Sequence, residues 1–210
     1  MSPASEQALS ILRDTGNLQW YVIPLLIFVI YAYVNEIERK NWHAVTLGIA
    51  FWAGEFIWEM FNALVLKVNG WAPMWITPGG NSAYVIYVGL NIEIAFFFAV
   101  AALLVIKVLP ADRSLKILGV SNRVFIPVVM GLASVCVEVL LNRAGLLVWD
   151  NVWWQWPHIW LIVVAYCLPF LAVAWCHDNL RLKTKAIAAV LLPVLAVSCH
   201  LIFATWLGWI

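Results

Sequence analysis

Charge is what this sequence has least of. Only 11% of its 210 residues are Asp, Glu, Lys or Arg, against about 25% in a typical soluble domain. Hydrophobic residues make up 65%, and the mean hydropathy is +0.92. So little polarity excludes a water-soluble globule and predicts an all-α, polytopic membrane helix bundle. The net charge of +1 provides no basic surface, so no nucleic-acid partner is expected; the lipid bilayer is. The four cysteines, Cys136, Cys167, Cys176 and Cys199, show no CxxC or Cys/His ligand spacing and read as small core residues. Glycine-rich phosphate loops and a GxSxG elbow are also missing, and Thr77-Pro78-Gly79-Gly80-Asn81 reads as a turn. The opening MSPASEQALSILRDTGN has no basic segment followed by an apolar one, so no cleavable signal is expected. Residues 1–17 read as a short amphipathic lead-in.

What the sequence does have is long apolar runs. A span needs about 20 apolar residues, and the breaks leave six: 18–35, 43–66, 83–107, 124–148, 158–176 and 186–209. The loops are short, so residues 18–210 form a single bundle. The first, third and fifth connections hold Arg39, Lys40, Lys107, Arg113, Lys116, Arg123, Arg181, Lys183 and Lys185. The N-terminus and the other two connections hold only Arg13, Lys67 and Arg143. Positive charge stays inside, so both termini are expected on the non-cytoplasmic side. The membrane is a bacterial inner membrane or a eukaryotic endomembrane, with no address signal to separate them. Homo-oligomerisation stays open, because the small residues Gly48, Ala50, Ala53 and Gly54 could pack within or between chains.

Tryptophan is abundant, with fourteen residues, and it is one-sided. Trp71, Trp75, Trp149, Trp153, Trp154, Trp156 and Trp160 lie in or beside the two outward connections, and Trp20, Trp206 and Trp209 sit at outward helix ends. An interfacial aromatic belt and a Trp-walled lid over a pocket are the two readings.

Ionisable side chains inside the spans are the strongest functional signal. A charge at membrane depth costs about 2.5–3.5 kcal/mol or more and usually marks function. Glu55 and Glu59 share a helix face at i, i+4, and Trp52 and Asn62 extend that stripe. Glu138 and Asn142 repeat the pattern on the fourth span. Glu93 and His200 are expected in the same outer-half layer, and Asn91 lies beside Glu93. Several carboxyls in one low-dielectric layer cannot all be charged, so at least one is expected to be a neutral acid able to donate a proton. Helix-to-helix hydrogen bonding is the bland alternative.

A buried acid, aromatic faces and a dry pocket suit an enzyme that protonates an apolar small molecule. No Asp-rich diphosphate motif is present, so protonation of an alkene or epoxide fits better than diphosphate ionisation. Trp52, Trp58, Asn62, Asn91, Asn142, Trp149, Trp153, Trp154 and His200 are the expected substrate-binding residues. No cofactor and no metal are expected, since di-iron bundles present Glu-x-x-His motifs and none occurs here. The alternative is a proton-coupled transporter or solute-binding membrane subunit using the Glu/His cluster, with Pro24, Pro127, Pro169 and Pro193 interrupting helices.

The segment from Tyr31 to Asn62, YAYVNEIERKNWHAVTLGIAFWAGEFIWEMFN, resembles the early part of the small membrane-integral terpene cyclases of the paxilline and pyripyropene meroterpenoid type. Trp58-Glu59 stands where those proteins carry a Trp-Glu pair. The resemblance implies metal-free, acid-initiated cyclisation of a polyprenyl chain, with Glu59 as proton donor. Glu55, Glu138 and Glu93 would then complete the catalytic set, and Asn62 and Asn142 would orient the carboxyls. This chain has six spans where that family generally has seven. It also carries Glu55 at a site expected to be neutral, and Asp178 is its one late-helix candidate for a second acid.

Overall fold

A computed structural model describes residues 1–79 and 84–210; Gly80 and Asn81 of the expected turn lie outside them. The described residues form seven α-helices: α1 (Pro3–Ser10), α2 (Val22–Glu38), α3 (Trp42–Asn69), α4 (Ile92–Val108), α5 (Asn122–Arg143), α6 (Ile159–Asn179) and α7 (Leu182–His200). A π-helical stretch, Leu201–Trp206, continues α7. Two antiparallel hairpins, β1 (Val85–Tyr87) with β2 (Leu90–Asn91) and β3 (Lys116–Ile117) with β4 (Val120–Ser121), precede α4 and α5. The protein is all-α, as composition implies. Four helices, α3, α5, α6 and α7 with its extension, are long and apolar enough to cross a membrane. The apolar α2 and α4 are 17 residues each.

Local chemistry sets the helix ends. The side chains of Asn41, Asn91 and Ser121 accept from the first-turn amides of α3, α4 and α5, which supplies the acceptors that a helix start lacks. Gly70, at φ 65°, closes α3 in the left-handed conformation that glycine adopts freely. Leu118 and Gly119 both have positive φ, the geometry of a two-residue hairpin turn.

Three sequence expectations need correction. The third apolar run, read from residue 83, becomes helical only at Ile92, because Val85–Asn91 pairs as a hairpin capped by Asn91. The fourth run ends at Arg143, not 148, and Gly145 at φ 71° turns the chain. Pro127, Pro169 and Pro193 lie inside continuous helices, and Pro24 sits in the first turn of α2, where no intrahelical N–H is needed.

The long α3 is the hub, packing along α7 and α4, while α6 packs along α5. Only Leu180 and Arg181 separate α6 from α7, yet the two diverge onto different partners. Gly131 lets α5 approach α6 closely: a Cβ there would stand 2.7 Å from Cys167 Sγ and 2.9 Å from its Cα. The small-residue stripe of α3 is used within the chain. Ala50 and Ala53 are buried, and a Cβ on Gly48 would stand 2.8 Å from the Tyr33 hydroxyl.

The two ends of the bundle differ. At one, α1 and the connections after α3 and α5 are stitched together. Ile76 and Val148 exchange backbone hydrogen bonds of 3.0 and 2.8 Å, Ser2 N–H donates to Trp71 O, and Arg13 N–H donates to Val85 O. The Arg13 guanidinium donates to Ile210 O at 2.9 Å, so the lead-in and the C-terminus meet here. The Lys/Arg-rich end is tied by Asp178, which accepts from Arg123 Nε at 2.7 Å and pairs with Arg113 at 3.3 Å. Hydrogen bonds from the Ser114 hydroxyl and amide hold the Asp112 carboxyl below its usual range.

Candidate functional site

A cavity of about 700 Å³ runs inside the bundle, walled by α3, α6 and α7. Leu47, Ala50, Phe51, Phe98, Phe170 and Val173 give it an apolar wall. Two of its lining residues reach the lateral surface of the bundle. Trp58 and Leu168, both near mid-helix, line the cavity while 41% and 59% exposed.

Three carboxyls, Glu55, Glu59 and Glu138, line the end beneath the stitched connections. They are close enough to interact electrostatically, and no cation pairs with them among the described residues. Their partners are neutral N–H groups. Trp75 Nε1 donates to both oxygens of Glu59, at 3.0 and 3.1 Å. Trp149 Nε1 and Trp154 Nε1 both donate to Glu138 Oε1 at 2.9 Å, and Tyr166 lines the same end of the cavity. Glu59 is 2% exposed and Glu138 is buried. Glu55 faces the cavity with no hydrogen bond to any described residue.

The connections reach these carboxyls because the helices hold them there. Asn62, one turn beyond Glu59, is fully buried. Its Nδ2 donates to Trp75 O at 2.9 Å, and its Oδ1 accepts from Met74 N at 2.7 Å. Asn142, one turn beyond Glu138, donates to Leu147 O at 3.1 Å. Each helix thus carries a Glu and then an Asn, and the Asn fastens the connection that returns an indole to the Glu. Gly89 completes the enclosure. A Cβ there would clash with Asn62 Nδ2 and stand 2.7 Å from Trp75 Nε1.

The structure gathers Glu55, Glu59, Glu138, Trp58, Asn62, Trp149 and Trp154 around one point. It does not bring the others there. Glu93 falls in the first turn of α4, because the hairpin displaces the helix start. It lines a smaller cavity of about 220 Å³, shared with Glu138, and accepts from the Tyr21 hydroxyl. Asn91 is spent as the α4 cap. Trp52 turns away to pack edge-on against Phe56, and Asn142 bonds a backbone rather than a carboxyl. Trp153 is exposed and rests on His158. His200 bonds the Tyr87 hydroxyl at 2.7 Å, outside the main cavity. Asp178 is committed to the two arginines. The seven connection tryptophans divide, with Trp75, Trp149 and Trp154 buried and Trp71, Trp153, Trp156 and Trp160 exposed.

Among the lining residues that were not singled out as site residues from sequence, Trp75, Tyr166 and Lys185 carry hydrogen-bonding side chains. Trp75 was visible only as one lid tryptophan among several. Tyr166 has no polar neighbour at helical spacing to mark it. Lys185 counted as a loop charge, although its stripe with Ala188 and Leu192 at i+3 and i+7 gives it a helix face. No group of three or more His, Cys, Asp or Glu suited to a metal occurs among the described residues.

Residues 2–205 match a family described as an uncharacterized membrane protein family. The chain is 44% identical over 209 residues to a protein of Archaeoglobus fulgidus described as an uncharacterized protein, covering 99% of this chain and 98% of that one. No solved structure matches.

Proposed function

We propose that this chain, which belongs to an uncharacterized membrane protein family and is an integral membrane protein, is an acid catalyst that isomerises or cyclises an isoprenoid-like lipid without a metal. The observation that carries the proposal is the apolar cavity that ends at three carboxyls and is lined at mid-helix depth by residues of the lateral surface. Entry at that depth admits a molecule dissolved in the bilayer. The likeness of residues 31–62 to membrane-integral terpene cyclases points the same way. In this reading α2 and α4 complete six spans. An even number of passes fits the meeting of Arg13 with Ile210, and the Lys/Arg-rich end faces the cytoplasm.

Hydrogen-bond supply divides the roles. Glu59 and Glu138 accept indole N–H donors, which favour the charged form. Glu55 has none, so in this account it holds the proton and takes the donor role that the resemblance gives to Glu59. The Glu55 O–H proton adds to a terminal alkene carbon, and the alkene π pair becomes the new C–H bond. The adjacent carbon is left as a cation. A second alkene's π pair closes a ring onto that cation and leaves a new cation that loses a neighbouring C–H proton, or the first cation loses a neighbouring C–H proton directly. Either way a carboxylate, Glu59 or Glu138, takes the departing proton and releases it to water as the product leaves, and Glu55 regains a proton from water before the next cycle. Atoms balance as an isomerisation. The faces of Trp58, Trp75 and Trp154 stabilise the cation through their quadrupoles.

The test uses protein in nanodiscs, incubated without added metal with linear and epoxidised polyprenyl compounds and analysed by mass spectrometry. An isomeric product is expected, falling about 10²–10⁴-fold in Glu55→Gln, the usual contribution of a general acid. Full activity in a folded Glu55→Gln protein would remove Glu55 from the mechanism. No product across the panel would count against the enzyme itself.

A further inference from the structure

The other end of the same cavity holds a buried cation. Lys185, in the first turn of α7, is 1% exposed and lines the cavity. Its ammonium can only donate, and it has three N–H bonds. One goes to His43 Nδ1 at 2.9 Å and one to the His177 carbonyl at 2.8 Å, so His43 is the acceptor there. The third has no protein acceptor, and no carboxylate pairs with Lys185 among the described residues. Beside it, the buried Nδ1 of His177 is without a partner among those residues. Asp178, the nearby carboxylate, is already held by Arg113 and Arg123. A buried charge left unpaired is strongly disfavoured, and this one faces an apolar channel.

We propose that Lys185 binds the anionic head of a single-chain membrane amphiphile, a phosphate monoester in chemical class, whose tail runs up the cavity to the carboxyl trio. Along α3, twelve residues separate His43 from Glu55, about 18 Å at 1.5 Å per residue. That is about the depth of one leaflet of a hydrocarbon core roughly 30 Å thick. A head fixed at Lys185 therefore presents the far end of its chain to Glu55, and the head takes no part in the bond changes there. The inference rests on the same cavity being the substrate site proposed above, and it narrows the substrate to an anionic-headed isoprenoid that reacts at its tail end.

The test is native mass spectrometry of the full chain released from detergent micelles, with hexadecyl phosphate, hexadecanol and inorganic phosphate as probes. The expected result is a one-to-one hexadecyl phosphate adduct that outcompetes hexadecanol at least tenfold, with no adduct from inorganic phosphate. Lys185→Met should erase the preference for the phosphate, and Lys185→Arg should keep most of it. Ala188→Phe, which fills the channel above the lysine, should reduce binding of both chain-bearing probes while leaving the ammonium in place. The head-group preference can be lost while the polyprenyl panel is still isomerised, and isomerisation can be absent while the preference stands, so this inference and the catalytic reading can fail separately. Equal binding of hexadecanol, or an unchanged preference in Lys185→Met, would overturn the head-group site. Inorganic phosphate binding as tightly as hexadecyl phosphate would show a free-anion site instead. Should Lys185→Met fail to fold, the hexadecanol comparison and Ala188→Phe still decide the matter.

Discussion

Three glutamates of identical chemistry become unlike through what donates to them. Trp75 serves Glu59, Trp149 and Trp154 serve Glu138, and Glu55 is served by none. Trp75→Phe keeps the ring and removes only the N–H, leaving Glu59 buried with its indole donor gone. Such a loss costs about 1–3 kcal/mol. The melting temperature of Trp75→Phe should fall, and turnover should fall with it, because Glu59 no longer holds the charge that receives the proton. An unchanged melting curve would mean that this hydrogen bond contributes nothing. At this scale the sequence was informative where polarity stands out against an apolar run, as with Glu55, Glu59, Glu138 and Asn62. It was silent where a residue gains its place only through packing. Tyr166 lines the carboxyl end of the cavity, and nothing within α6 announces it.

At the scale of elements, two Asn tethers fold the connections back over the helices that precede them. Asn62→Ala removes the acceptor for Met74 N and the donor to Trp75 O. Hydrogen exchange at residues 71–76 should accelerate by one to two orders of magnitude, matching about 1–3 kcal/mol of lost local stability, while exchange in α5 and α6 stays as before. Gly131→Leu acts elsewhere, forcing α5 from α6 at Cys167, and should lower stability by about 1–3 kcal/mol through overpacking. A thermal scan that leaves Gly131→Leu at the parent value would contradict the close approach. The six helical runs were legible because a long apolar stretch has few alternatives. The hairpin at Val85–Asn91 was not, since VIYVGLN is apolar enough to read as part of the helix it precedes and only pairing distinguishes it. Glu93 consequently stands in the first turn of α4, where it lines the smaller cavity it shares with Glu138. His200 was displaced differently, by facing Tyr87 rather than the carboxyls.

For the whole molecule, the divergence of α6 and α7 makes room for the cavity, which Leu168 lines from the lateral surface. A bulkier residue there should hinder access without touching the acids. Leu168→Trp should raise KM for long-chain substrates several-fold while leaving kcat within about twofold, since uniform loss of binding appears in KM alone. A fall in kcat with unchanged KM would mean that Leu168 bears on the reacting atoms instead. None of this was legible in the sequence, because which helix neighbours which is decided by packing between runs of similar apolarity. The charge asymmetry between the two ends was legible, and it carried Lys185 within it as one loop charge among nine.

In this mechanism a protein carboxyl delivers a proton to carbon. That transfer is read by running the reaction in deuterated water with a polyprenyl alkene and analysing the product by mass spectrometry and NMR. Acid initiation at Glu55 predicts one deuterium on carbon at the protonated end of the chain, with label and product both lost in Glu55→Gln. An isomeric product formed without deuterium on carbon would contradict the account.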